Sequence, residues 1–303
     1  MTSEFEVLAG LVGRLGVAPS GEVWAGDDAA VFGDVVMTTD PVVDGVHIDR
    51  TLMTLADAGW KAIARNVSDV VAMGAVPWRA VVSVVGATEA ETAELYDGIL
   101  DAAAHWGFAV AGGDLASGPT LVVTVTMLGL LGGEPAVLRS GAESGDVLWL
   151  ATPEGQGLGR GEAGLRLLRS RLGEGPCQDW LKRPRPSVAA GAAARAGGAT
   201  AMLDISDGLV GDLVHLADAS GVGFALVGVP VAEGASRDEA CFGGDEYALV
   251  FAARPGVDGS VTSAFLAAGL PPPVRIGSCT PDPSDRTLDG QPLPPVAGWQ
   301  HDL

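Results

Sequence analysis

Two long segments with a helical period of apolar residues, each followed by short strand-like runs, constrain this chain more than any other feature. The first runs from about Thr54 to Gly74, ahead of Pro77, with Asp57 three residues on as an acidic capping-box partner. The second runs from about Glu89 to Trp106. An earlier helix is predicted where Phe5, Leu8, Leu11, Val12 and Leu15 precede Gly16. Strands are predicted at Ala29 to Phe32 and Val35 to Thr39, joined by the Gly33-Asp34 turn, and at Ala80 to Val85, Phe108 to Ala111 and Leu121 to Leu128. That order predicts a mixed sheet with helices on one side.

A second half opens near Gly145-Asp146. Strands are predicted at Val147 to Ala151, Thr200 to Leu203, Gly223 to Val227, Tyr247 to Ala252 and Val274 to Gly277. Helices are predicted at Gly161 to Leu172, Val188 to Ala196 and Asp207 to Ala219, and the Pro- and charge-rich stretch from Glu174 to Ser187 reads as a surface loop. With 303 residues, the expectation is two α/β (α+β) domains, 1–140 and 141–303.

Composition narrows the function. The net charge is −20, and only two lysines, Lys61 and Lys182, occur. Nucleic acid and anionic membrane surfaces are therefore poor partners. The charge-free run from Leu115 to Gly133 is broken by Ser117, Gly118, Pro119 and three threonines, so it reads as a buried strand and not as a membrane span. Acids near the amino terminus, at Glu4 and Glu6, argue against a signal peptide. Cys177, Cys241 and Cys279 are odd in number and far apart, which reads as reduced thiols in a cytoplasmic protein.

The aspartates recur where a strand meets a glycine-rich or helix-opening turn: Gly26-Asp27-Asp28, Thr38-Thr39-Asp40, Gly113-Asp114 and Leu203-Asp204-Ile205-Ser206-Asp207-Gly208. Asp69 lies instead late in the long helix. Turn and cap chemistry explains one Asp at a time, but not Asp27 beside Asp28 or Asp204 with Asp207. Carboxylates that converge in one cleft need protons or cations, and an oxygen-only set suits Mg²⁺ bridging to phosphate. No Walker A loop surrounds either lysine. Gly159 to Gly164 matches Gly-x-Gly-x-x-Gly but lacks the downstream acid of a dinucleotide fold, and reads as a flexible loop before a helix. The bases Arg139, Lys182, Arg183 and Arg185 suit either phosphate contacts or interdomain ion pairs. His215 reads as structural.

The stretches GDDAAV (26–31), TTDPVVDGVHID (38–49), KAIARNVSDVVAMGAVP (61–77), GGDLASGP (112–119), LRSGAESGD (138–146), LDISDGLVGDL (203–213) and GGDEYALVF (243–251) together resemble the thiamine-monophosphate kinase family. That family lies in the superfamily of aminoimidazole ribonucleotide synthetase. The resemblance implies a two-domain fold whose N-terminal domain pairs strands across a homodimer. It also implies ATP-dependent phosphorylation of thiamine monophosphate to thiamine diphosphate, by direct in-line transfer with several Mg²⁺. By position, Asp28, Thr38, Thr39, Asp40, Asp69, Asp114, Asp204 and Asp207 match metal ligands. Of these, Asp28, Asp69, Asp204 and Asp207 are the expected catalytic set. Gly113, Asp114, Arg139 and Ser206 match the nucleotide site, and His47, Asp245 and Trp299 match the thiamine phosphate site. The family's Gly-Gly-Glu-Asp-Tyr stands here as Gly-Gly-Asp245-Glu246-Tyr247, so which acid faces the substrate stays open. Trp299 stands where the family often has tyrosine; stacking on a cationic ring survives that change. The rival expectations are another ATP-using member of the superfamily or a non-catalytic divalent-cation-binding protein.

Overall fold

The computed structural model describes residues 4–293. Helix α1 (Glu4–Val12) leads into strands β1 (Glu22–Val23), β2 (Ala30–Phe32) and β3 (Val35–Val43). Helix α2 (Leu55–Ala72) begins at Thr54, whose hydroxyl accepts from the Asp57 N–H while the Asp57 carboxylate accepts from the Thr54 N–H, the full capping box. Strand β4 (Val76–Val85), helix α3 (Glu89–Trp106), strand β5 (Ala109–Ala116) and strand β6 (Val122–Leu130) follow. Helix α3 has the same device in Thr88 and Glu91, and ends on the left-handed Gly107.

These strands form a six-stranded sheet in the order β1-β2-β3-β6-β4-β5. Only β4 and β5 run parallel, joined by α3 as the crossover, so the sheet is mixed. Helices α2 and α3 pack over it. The period of two along β3 sends Thr38 and Asp40 to the helix side, while Met37 and Thr39 face outward.

The second sheet has seven strands in the order β13-β12-β9-β11-β7-β10-β8. They are β7 (Val147–Ala151), β8 (Ala199–Asp204), β9 (Gly223–Leu226), β10 (Leu249–Ala253), β11 (Val274–Thr280), β12 (Arg286–Leu288) and β13 (Gln291–Pro292). Every residue of β7 and β10 is buried, as expected of strands covered on both faces. Helices α4 (Arg160–Arg169), α5 (Pro176–Lys182), α6 (Val188–Gly197), α7 (Leu209–Ser220), α8 (Arg237–Phe242) and α9 (Asp258–Ala267) connect them. Among the described residues no helix is long and apolar enough to cross a membrane.

Three sequence expectations need correction. The Gly112-Gly113-Asp114 segment is not a turn after a strand but lies inside β5, where a Cβ on Gly113 would stand 1.8 Å from the Val82 carbonyl oxygen. The 174–187 stretch is not wholly a surface loop: it contains α5, which starts on Pro176 and buries Cys177, Gln178, Trp180 and Leu181. Helices α8 and α9 have no counterpart among the expected elements; α8 has only six residues, too few to show a period.

The loop after α5 fastens the two halves together. Trp60 Nε1 donates to the Pro184 carbonyl at 2.8 Å, Trp106 Nε1 to the Pro186 carbonyl at 3.2 Å, and Arg183 pairs with Asp57 at 2.6 Å. Of the two uses open to Arg183, the interdomain ion pair is the one observed.

Candidate active site

Helix α2 supplies the spine of the site. Lys61, Arg65, Ser68 and Asp69 fall at i, i+4, i+7 and i+8, one stripe of a helix, and that stripe meets both sheets. Asp69 accepts a hydrogen bond from the Thr38 hydroxyl of β3 at 2.6 Å. Ser68 donates to Asp204, the last residue of β8, at 2.5 Å. Arg65 Nε donates to Asp40 of β3 at 2.8 Å. Arg139 closes the far side by pairing with Asp27 and Asp28.

Around this spine Asp28, Asp40, Asp69, Asp204 and Asp207, with Arg139, line one hollow. Burial first, and then the neighbouring carboxylates, push Asp69 well above the usual carboxylate range. The same causes raise Asp204 to about 8 and Asp27 to about 6. Burial raises Asp28 as well, against the opposing pull of Arg139. Asp28 Oδ2 is buried without a hydrogen-bond partner. Among the described residues no three carboxylate, imidazole or thiolate groups close on one point as a ready metal cage. Protein donors hold one oxygen each of Asp28, Asp40, Asp69 and Asp204 instead.

The turn from Asp204 into α7 is organised by Asp212, a buried residue that lies in the LDISDGLVGDL stretch but matches no role there. Its Oδ2 accepts from the N–H groups of Ser206, Asp207 and Gly208, each at 3.1 Å. Gly208 has φ +115°, and a Cβ there would lie 2.7 Å from the Phe242 carbonyl oxygen, so glycine is required. His215 also borders the hollow, with its pKa lowered by burial and by Arg139.

A second hollow adjoins the first. It is lined by His47, Met53, Lys61, Leu181 and Asp245, and its seam with the first is formed by Arg65, Ser206 and Asp207, which border both. Asp245 borders this hollow: Lys61 Nζ donates to its Oδ2 at 2.7 Å and the Tyr247 hydroxyl to its Oδ1 at 2.6 Å. Lys61 is 1% exposed, and its charge and that of Arg65 keep Asp245 below the usual carboxylate range despite burial. Glu246 turns away, is fully buried, and accepts from the Gly161 N–H at 2.9 Å. Of the two exchanged acids, Asp245 is the one that borders the hollow. Both Asp245 (φ +62°) and Tyr247 (φ +49°) hold left-handed backbone, a costly conformation concentrated where functional groups must be aimed. His47 Nδ1 accepts from the Val43 N–H at 3.1 Å, which leaves Nε2 as the donor nitrogen of the neutral ring.

The structure does not gather every expected residue here. Thr39 borders the first hollow, but its hydroxyl lies on the outer face with Thr126 at 3.0 Å and the Val125 carbonyl at 3.1 Å. Gly113 and Asp114 lie on β5, three strands from β3 and so about 14 Å away. There they border a separate hollow with Tyr96 and Leu100. Trp299 falls outside the described residues. The glycine-rich match is a packing device: Cβ atoms on Gly161 and Gly164 would approach the Gly244 and Cys177 carbonyl oxygens to 2.2 and 2.3 Å. Lys61, Arg65 and Tyr247 lie within the matched stretches 61–77 and 243–251 but take no role from sequence, although Lys61 is one of only two lysines.

A two-domain chain with carboxylates converging between a mixed N-terminal sheet and a second α/β layer is an AIR synthase related protein. The N-terminal domain model of that family matches residues 26–131 and the C-terminal model residues 143–289. Within the class, the chain belongs to the thiamine-monophosphate kinase family. It is 37% identical to the thiamine-monophosphate kinase of Mycobacterium tuberculosis over 91% of this chain and 84% of that one. The AaThiL complex with AMPPCP and TMP superposes with a TM-score of 0.84 at 27% identity, covering 99% of this chain and 97% of that one. Thiamine-monophosphate kinase from Stenotrophomonas maltophilia superposes with a TM-score of 0.77 at 30% identity, covering 96% and 98%.

Proposed function

We propose that this chain transfers the γ-phosphoryl group of ATP to thiamine monophosphate, giving thiamine diphosphate and ADP. The observation that carries the reading is the pair of adjoining hollows with a shared seam at Arg65, Ser206 and Asp207. One is rich in carboxylates and suits a cation-bound triphosphate; the other offers apolar walls, the His47 ring and the Asp245 carboxylate to an organic cation that carries a phosphate. The relatives named thiamine-monophosphate kinase and the neighbour bound to AMPPCP and TMP support it.

The unpartnered Asp28 Oδ2 and the raised affinities for protons at Asp69 and Asp204 mark a donor set whose carboxylates outnumber its two arginines, which fits Mg²⁺. Asp28, Asp40, Asp69, Asp204 and Asp207 would hold it, with Thr38 steadying Asp69 and the Thr39 main chain alongside. When bound, Mg²⁺ supplies charge neutralisation between two anionic reactants. Arg139 and Ser206 border the nucleotide's phosphates, and Asp212 fixes the Ser206 and Asp207 backbone in place. Asp245, held by Lys61 and Tyr247, orients the thiamine moiety, with Trp299 as its aromatic partner. The acceptor is a phosphate oxygen with little proton left at neutral pH, so no strong general base is needed.

The remaining expected residues, Gly113 and Asp114, are too far from this cleft to serve it within one chain. We propose a homodimer in which a second copy brings its β5 to the first hollow. The outward face of the first sheet exposes Met37, Trp78 and Val81, and Leu115 extends along edge strand β5, an apolar surface suited to a second copy. The described cysteines are free and buried, which fits a reducing cytoplasm.

The test is an assay with ATP and Mg²⁺ in which thiamine monophosphate and free thiamine are compared. Thiamine diphosphate forming from the monophosphate alone is the expected result, and product from neither would overturn the reading.

A further inference from the structure

Arg65 stands between the two hollows with most of its hydrogen-bonding capacity uncommitted. A guanidinium has five N–H donors. Among the described residues only Nε is used, on one oxygen of Asp40. The other acids that face it are already engaged: Lys61 and the Tyr247 hydroxyl take both oxygens of Asp245. Arg65 borders both hollows, and with Ser206 and Asp207 it forms the seam between them. Its side chain is 18% exposed, so the charge is largely withdrawn from bulk water. The anchor at Asp40 fixes the fork, as a planar guanidinium requires for a bidentate contact.

We infer that Arg65 is a catalytic residue of the phosphoryl transfer, its terminal nitrogens holding oxygens of the phosphoryl group as it passes from the first hollow to the second. The inference rests on the reaction proposed above and assigns a residue to its central step. In that step an oxygen of the thiamine monophosphate phosphate forms a bond to the γ-phosphorus. The bond from that phosphorus to the β–γ bridging oxygen breaks and leaves its electron pair on ADP. No proton moves when the acceptor phosphate is a dianion. Charge on the three equatorial oxygens is what a fixed, poorly hydrated cation stabilises, and Arg65 is the guanidinium that borders both sides of the transfer.

The experiment is steady-state kinetics of the full chain, with ATP and thiamine monophosphate varied, for wild type, Arg65→Gln, Arg65→Lys and Arg65→Ala. Arg65→Gln is expected to lower kcat about 100-fold at saturating Mg²⁺, with either KM changing less than about threefold. Arg65→Lys keeps the charge but loses the fork, and is expected to fall about tenfold. Arg65→Ala should regain activity with added guanidinium and not with added ammonium. If Arg65 only steadies Asp40, the losses will appear as a raised Mg²⁺ requirement and disappear at high Mg²⁺. That outcome, or a kcat of Arg65→Lys equal to wild type, would overturn the assignment. Inactive wild type would instead overturn the proposed reaction. Should Arg65→Gln fail to fold, the lysine variant and the guanidinium rescue still decide.

Discussion

Glu246 and Asp245 are neighbours in sequence with opposite electrostatic fates. Asp245 lies between Lys61 and Tyr247 and stays ionised, while Glu246 is buried against Gly161 with its Oε2 unpartnered. Burial outweighs the pull of Arg160 and pushes Glu246 to about 7, against an ordinary value of 4.5. The raised value means that between these limits the folded chain keeps a proton the unfolded chain has released. Stability attributable to this group is therefore full below about pH 4.5 and declines as pH rises through about 7. Glu246→Gln retains an acceptor for Gly161 and does not ionise. It should match wild type near pH 4 and exceed it by up to about 3 kcal/mol near pH 8, because each tenfold change in proton affinity is worth about 1.4 kcal/mol. Urea unfolding at the two pH values checks this; a variant-to-wild-type difference that is the same at both would mean that Glu246 does not titrate. The sequence shows the exchanged acids but not which one faces inward. That depends on the left-handed backbone at Asp245 and Tyr247, which neither residue type announces.

At the scale of elements, α2 is legible in the sequence because caps and periodicity agree: the Thr54-Asp57 box fixes its start and the buried stripe fixes its face. The same stripe delivers Lys61, Arg65, Ser68 and Asp69, so the helix that builds the core also aims the site. Strand β5 is disguised because Gly112-Gly113-Asp114 has turn composition. In fact the glycine is there for close approach of β4, a tertiary demand with no local signature. Helix α5 is hidden in a Pro-rich stretch for a related reason: Pro at the first helical position starts a helix as readily as it marks a loop. The position of α2 is set in turn by α3. Gly98 brings the two so close that a Cβ would stand 1.7 Å from the Ala56 carbonyl oxygen, backbone that cannot swing aside. Gly98→Ala should therefore cost about 3 kcal/mol in thermal or urea unfolding, the upper end of ordinary overpacking. It should also reduce activity by shifting α2, although Gly98 touches neither hollow. An unchanged melting temperature would show that the helices separate without penalty.

The whole molecule sets a limit on what one chain can do. Seven of the eight expected metal ligands border the first hollow, and Asp114 alone lies away from it, on the edge strand of the same sheet. In sequence the turn-like aspartate motifs look alike in composition, and convergence is decided by topology. The order β3-β6-β4-β5 keeps Asp114 three strand spacings from Asp40 in any state that preserves the sheet. Either Asp114 has no part in the reaction or it acts on a second copy. These alternatives separate when two inactive variants, Asp114→Asn and Asp204→Asn, are unfolded and refolded together. If Asp114 acts across the dimer, each mixed dimer has one site with both native residues and one with neither. Statistical mixing gives half mixed dimers, so about a quarter of wild-type activity should return. If both residues served the same chain, every site in every dimer would lack one of them and the mixture would stay inactive. An Asp114→Asn variant active by itself would remove Asp114 from the site altogether. A return of activity that requires mixing, together with a dimer mass in sedimentation equilibrium, would establish that the cleft is completed by a second copy.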